Sequence, residues 1–276
     1  MERPYRGMTV AELEIQYNAR ATVPDFDAEM RAYRALSDQA YADLTVIKDI
    51  PYGPTTDERL DLFPSAKSAN PLLVFLHGGY WRALSRRESA FMAKPFVAND
   101  VAVAVIEYAL APTASLTEIV SQCRRATATL IENASDQPYD QNRIFLAGSS
   151  AGAHLAAMSL RPEIKGVLLA SGLYDLDPIR FCAPNEWLSL TKETARENSP
   201  MHHPSPTGVP LIFTWGETET AEFKRQSQTY ADKVKDAGGM TTQFEVPNRN
   251  HFNVITDLAD DQSRLFRETL KMIQNA

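Results

Sequence analysis

An α/β fold with a mostly parallel central sheet is the class that this 276-residue sequence predicts. Short apolar runs alternate with longer helix-favouring segments from residue 72 to residue 273. Several runs, such as Val101-Ala102-Val103-Ala104-Val105-Ile106, are apolar at every position, as strands covered on both faces must be. Repeated strand–helix units of this kind close into a parallel sheet with helices on both sides. No repeat, linker or low-complexity tract interrupts the pattern, so residues 1–276 are expected to form one domain.

Each element has its own local reason. Residues 1–43 are polar, carry no glycine after Gly7, and show helical spacing over 10–17 and 28–44, broken by Pro24. They predict an N-terminal helical arm, packed on the main domain or acting as a flap over it. Residues 44–50 and 59–63 alternate like strands around the turn Pro51-Tyr52-Gly53-Pro54, which suggests an antiparallel edge hairpin. Strands are then expected at 72–76, 101–106, 144–147, 167–170, 211–215 and 242–246. Helices are expected at 85–98, 116–133, 221–237 and 257–273, with another after residue 150. Residues 175–210 lack a strand pattern, carry Phe181 and Trp187, and end among Pro200, Pro204, Pro206 and Pro210. A long insertion of this kind in an α/β domain reads as a small helical cap.

Composition narrows the function. A formal net charge of -7 disfavours nucleic acid and anionic membranes as partners. The longest apolar run is too short to span a bilayer. No apolar segment follows Met1-Glu2-Arg3-Pro4, so no signal peptide is expected. Cys123 and Cys182 have no metal-like or C-x-x-C spacing, as suits two reduced thiols in a cytoplasmic protein. No motif for a metal or organic cofactor is present, and none is expected. His202-His203, adjacent on a loop without a third ligand nearby, are a weak metal signal.

The chemistry centres on Gly148-Ser149-Ser150-Ala151-Gly152, a G-x-S-x-G pentapeptide between the run 144–147 and a helix-favouring segment. In that context the serine sits on a strained strand-to-helix turn, exposed above the sheet, as in α/β-hydrolases. A serine alcohol needs a base, and the base needs an orienting acid, in the order Ser, Asp/Glu, His. His251 follows the last predicted strand, and Trp215-Gly216-Glu217-Thr218-Glu219 follows the one before it. The acid is left open among Glu219, Glu217 and Asp175. His77-Gly78-Gly79 follows the first parallel strand and matches an oxyanion-hole loop. Donors would come from two of Gly78, Gly79 and Tyr80, together with Ala151 at the helix start. His154, four residues after Ser150, reads as a packing residue.

His77-Gly78-Gly79-Tyr80-Trp81 resembles the H-G-G-x-W signature of the kynurenine formamidases (arylformamidases), a family of α/β-hydrolases. The resemblance extends to Tyr17-Asn18-Ala19-Arg20, Val23-Pro24-Asp25, Ser171-Gly172-Leu173-Tyr174-Asp175-Leu176, Glu222-Phe223-Lys224-Arg225-Gln226-Ser227 and His251-Phe252. It covers nearly the whole chain. It implies a Ser150–Glu219–His251 triad, with Glu219 where the family usually has Asp. Ser149 stands where relatives often have His. The implied reaction is hydrolysis of N-formylkynurenine through an acyl-enzyme, without metal or cofactor. Tyr80, Trp81, Phe181 and Trp187 are the candidates to line an aromatic pocket. A carboxylesterase for short-chain or aryl esters would use the same residues. A non-catalytic small-molecule-binding homologue is the alternative of another class, opposed by the survival of nucleophile, base, acid and oxyanion loop in order. The oligomeric state is left open, a homodimer being one option.

Overall fold

The computed structural model describes residues 2–67, 69–132, 138–204 and 207–276. Asn133, the expected end of one helix, and Pro206 of the cap stretch lie outside the described residues. The strands are β1 Ile47–Pro51, β2 Arg59–Phe63, β3 Leu72–Leu76, β4 Ala102–Ile106, β5 Ile144–Ser149, β6 Ile164–Ala170, β7 Pro210–Gly216 and β8 Met240–Val246. They form an 8-stranded sheet in the order β1-β2-β4-β3-β5-β6-β7-β8. β2 runs antiparallel to both its neighbours, β1 and β4. All remaining pairs are parallel. The expected edge hairpin is therefore present, and the sheet is mostly parallel.

Alternation along each strand sends side chains to two faces, and both are covered. On β3, Leu72, Val74 and Leu76 join one core while Leu73 and Phe75 join the other. The first core packs under α1 Val10–Tyr17, α4 Leu116–Glu132, α5 Ala151–Met158 and α8 Ala221–Asp236. The second lies under α2 Phe26–Asp43, α3 Ala93–Ala98, α9 Asn253–Thr256 and α10 Arg264–Gln274. Burial of each large apolar side chain contributes roughly 1.5–3 kcal/mol, so these two layers dominate the folding energy.

The N-terminal arm is α1 and α2 joined by a 3-10 turn at Ala19–Thr22. Thr9 and Glu12 close a reciprocal capping box at the start of α1, and Asp25 caps α2 by accepting from Ala28 N. Between β6 and β7 lie the 3-10 turns Pro178–Phe181 and Pro200–His202, with α6 Asn185–Leu188 and α7 Lys192–Glu197. The segment is helical, and Leu188, Leu190 and Ala195 tie it to the first core.

Two expected helices are broken. The stretch 85–98 is a 3-10 turn at Arg86–Glu88 followed by α3. Pro95 has no N–H to donate, and the restart at Ala93 places it in a first turn, where none is needed. The stretch 257–273 divides at Ser263, whose Oγ accepts from Phe266 N and caps α10 afresh. Among the described residues no helix is long and apolar enough to cross a membrane.

Candidate active site

Ser150 stands between β5 and α5 with φ 56° and ψ -121°. That left-handed φ is costly for a residue with a Cβ and persists only where surrounding contacts enforce it. Two glycines make it possible. A Cβ on Gly148 would lie 2.2 Å from Gly152 O, and one on Gly152 would lie 2.0 Å from Leu76 O. Strand, helix and the neighbouring β3 thus approach more closely than alanine permits. Ser150 N donates to Ala170 O at 2.9 Å, and His154 N donates to Ser150 O at 3.1 Å.

His251, on the loop after β8, places Nε2 3.0 Å from Ser150 Oγ. Its Nδ1 lies 2.8 Å from Glu219 Oε2. A carboxylate only accepts, so Nδ1 carries the proton and the Nε2 lone pair faces the serine hydroxyl. The other oxygen of Glu219, Oε1, accepts from Ser171 Oγ at 2.5 Å and from Gly216 N at 2.6 Å. All three side chains are buried. Gly216 is required here too, since a Cβ would lie 2.4 Å from Arg249 O on the histidine loop.

The other carboxylates face elsewhere. Glu217 Oε2 accepts from Asn248 N, at the exposed edge of the loop. Asp175 Oδ2 accepts from Tyr5 OH at 2.8 Å and Oδ1 from Asp177 N at 3.1 Å, so it anchors the N-terminal arm.

The loop after β3 is wound through three consecutive positive φ values: Gly79 at 99°, Tyr80 at 50° and Trp81 at 56°. A Cβ on Gly79 would lie 2.1 Å from Ala83 O, which excludes any other residue there. His77 Nδ1 donates to Gly78 O at 2.9 Å, and its ring stacks on Tyr108 at 4.1 Å. Tyr108 OH in turn donates to His77 O at 2.6 Å. Among the described residues, none accepts from the N–H groups of Gly78, Gly79, Tyr80 or Ala151. Backbone donors without a protein acceptor, close to a buried serine, are able to receive an anion.

A cavity of about 540 Å³ opens over Ser150 and His251. Its apolar wall includes Tyr17, Phe26, Tyr33, Tyr80, Trp187 and Phe252. Tyr80 and Trp187 are therefore on the wall, joined by a 3.0 Å bond from Trp187 Nε1 to Tyr80 O. Trp81 and Phe181 are not. Trp81 is fully buried, because its indole N–H finds an acceptor in the core, His154 Nδ1, at 3.2 Å. Phe181 lies in a separate hollow beside Val10 and Glu186, with the Arg180 guanidinium over its ring.

The contribution of the N-terminal arm was not legible as site residues. Tyr33 OH donates to Phe252 O at 2.7 Å, and Asn250 Nδ2 donates to Glu29 Oε1 at 2.6 Å. Both bonds flank His251. Tyr80 OH donates to Tyr17 O at 2.5 Å on the opposite side. The sequence offers the arm as a candidate flap and a resemblance at Tyr17-Asn18-Ala19-Arg20, but nothing that singles out Tyr33 or Glu29.

His154 is a packing residue with a defined tautomer. Its Nε2 donates to Asn198 O at 2.6 Å, leaving Nδ1 to accept from Trp81. Burial pushes its pKa from 6.5 down to about 4. The unfolded chain therefore takes up this proton first as the pH falls. Stability is whole above pH 6.5 and is lost through the window down to about pH 4. The loss amounts to roughly 3 kcal/mol. His154→Gln is expected to flatten the fall of Tm across that window relative to the wild type. An equally steep fall in the variant would contradict this account.

The cysteines are buried, and burial pushes the Cys182 thiol up to about 12. Neither is poised as a nucleophile. His203 Nε2 donates to Glu197 O, and among the described residues no group of three or more His, Cys, Asp or Glu is placed to hold a metal ion.

Comparison with known proteins follows the same lines. The BD-FAE family matches residues 60–162, from β2 through α5 and the loop beyond it. A kynurenine formamidase from Danio rerio is 34% identical over 291 residues, covering 98% of each chain. The chain belongs to the kynurenine formamidase family. A solved structure from Silicibacter sp. tm1040 has a TM-score of 0.83 at 27% identity, covering 93% of this chain and 98% of that one. An esterase from the archaeon Pyrobaculum calidifontis has a TM-score of 0.76 at 16% identity, covering 96% and 97%. The last likeness concerns the α/β-hydrolase fold alone. As a member of the kynurenine formamidase family, the chain is a hydrolase, and its fold is the one these enzymes share.

Proposed function

We infer that Ser150, His251 and Glu219 act as a catalytic triad that hydrolyses an aryl formamide of the N-formylkynurenine type. The observation that carries the reading is the unbroken chain of hydrogen bonds from Glu219 through His251 to Ser150 beneath an aromatic-walled cavity.

His251 Nε2 takes the Ser150 proton as Oγ attacks the formyl carbon. The resulting oxyanion is held by the N–H of Ala151 and by two of those of Gly78, Gly79 and Tyr80, each contributing about 3 kcal/mol. His251 then gives its proton to the departing arylamine as the C–N bond breaks, leaving a formyl ester on Ser150. Water, deprotonated by His251, attacks that ester and releases formate and the free serine. Glu219 keeps Nδ1 protonated and stabilises the imidazolium throughout. Tyr80 and Trp187 offer flat faces to the aryl group.

The test is kcat/KM for N-formyl-L-kynurenine beside a short aryl ester, with Ser150→Ala as control. Efficient Ser150-dependent deformylation supports the reading. Ester turnover without deformylation would replace it with a carboxylesterase on the same triad.

A further inference from the structure

The cavity over Ser150 is aromatic, yet two arginines are among its lining residues. Arg20 reaches it from the 3-10 turn of the N-terminal arm, and Arg82 from the end of the loop after β3. Each lies over a ring of the same wall. The Arg20 guanidinium carbon is 3.9 Å from the Phe26 ring centre, and that of Arg82 is 4.6 Å from the Trp187 ring centre. Stacking fixes the plane of a guanidinium while leaving its edge N–H donors free.

Those donors have no carboxylate. Among the described residues, neither Arg20 nor Arg82 makes a side-chain hydrogen bond or ion pair. Two other stacked arginines do hold a carboxylate, whereas Arg264, over Phe244 and away from the cavity, holds none among the described residues. Arg180 lies over Phe181 and holds Asp177 at 2.6 Å. Arg225 lies over Tyr5 and holds Glu222 at 2.7 Å. The cavity lining contains a single carboxylate, Glu14, and one of its oxygens is already used by Ala183 N at 2.7 Å. A chain with a formal net charge of -7 thus concentrates an excess of positive charge at one aromatic cavity.

We propose that Arg20 and Arg82 form a carboxylate subsite, so that the preferred substrates are aromatic molecules carrying an acidic side arm. The aryl group lies against Tyr80 and Trp187 with its scissile bond at Ser150. The side arm extends to the guanidinium edges, where carboxylate and guanidinium meet in the bidentate geometry that suits both. This rests on the reading of Ser150 as the reacting group, because subsite and serine share one cavity. The arm then serves as a specificity wall: Arg20, Phe26 and Tyr33 come from residues that contribute no strand to the sheet.

The test uses meta-acetoxyphenylbutanoate and meta-acetoxyphenylbutanamide, esters of matched size that differ in charge. The wild type is expected to favour the carboxylate in kcat/KM by about tenfold, a preference that shrinks as salt is raised. In the double variant Arg20→Gln, Arg82→Gln the ratio is expected to fall to about one, through KM for the carboxylate ester. Both arginines are exposed, so their replacement opens no core. A wild type without preference, or a double variant that keeps it, overturns the subsite. A preference that collapses in the double variant while N-formyl-L-kynurenine stays inert would overturn the formamidase reading and sustain the subsite.

Discussion

Replacing Ser150 with alanine is expected to lower kcat/KM by about 10⁶-fold while leaving the fold in place. The hydroxyl makes one side-chain bond, to His251 Nε2 at 3.0 Å. Its loss removes the nucleophile without stranding a buried group, because His251 keeps Glu219 as its partner. Alanine retains a Cβ, so the strained φ of 56° costs the variant what it costs the wild type. Backbone bonds from Ser150 N to Ala170 O and from His154 N to Ser150 O are untouched. His251→Ala is expected to fall about as far, since nucleophile and base act as a unit. Residual turnover of about 10³ over water would remain from the oxyanion donors and binding alone. Steady-state kinetics with Tm measured in parallel decides the matter. A variant that keeps a tenth of wild-type activity would remove Ser150 from the mechanism.

Glu219→Gln is expected to cost about 10⁴-fold in kcat, against less than about tenfold for Asp175→Asn. The reasons are in the hydrogen bonds. Glu219 receives three donors: His251 Nδ1, Ser171 Oγ and Gly216 N. An amide has one oxygen to offer. If its oxygen stays with Ser171 and Gly216, its NH₂ faces Nδ1, and the imidazole must carry its proton on Nε2. That tautomer cannot accept from Ser150. If the oxygen turns to His251, the NH₂ faces the Gly216 N–H in a buried site, and even with the Ser171 hydroxyl turned to accept, that N–H is left with the penalty that unpaired polar groups carry. Asp175 sits outside this circuit. Its oxygens take Tyr5 OH and Asp177 N, so Asp175→Asn should loosen the N-terminal arm and lower Tm before it touches kcat. The reverse ranking of the two variants in kcat would transfer the acid role to Asp175.

Much of the architecture is carried by local pattern. Uniformly apolar runs such as 72–76 become central parallel strands because both faces of the sheet need covering, and they appear with the boundaries their composition implies. Residues 148–152 largely specify their own turn, because Gly148 meets Gly152 within the pentapeptide, although the approach of Gly152 to Leu76 O on β3 joins distant segments. The order of Ser150, Glu219 and His251 follows from where strands end. Cap chemistry at Thr9 and Asp25 is likewise readable one residue at a time.

Tertiary structure alone decided the rest. The histidine bonds to partners 101 and 32 residues away in the chain, a separation that spacing rules do not measure. Three acids satisfied the order requirement, and only Glu219 lies within hydrogen-bond distance of His251 among the described residues. Four aromatic residues satisfied the composition of a pocket wall. Trp81 turned inward because a buried indole N–H needs an acceptor and His154 supplies one, whereas Tyr80 and Trp187 remained on the wall. The arm's Tyr17, Phe26 and Tyr33 reach that wall from helices whose own pattern says only that they pack somewhere. Periodicity identifies which face of an element is buried. Which surface it is buried against depends on contacts between distant segments, and the shape and charge of the cavity follow from those contacts.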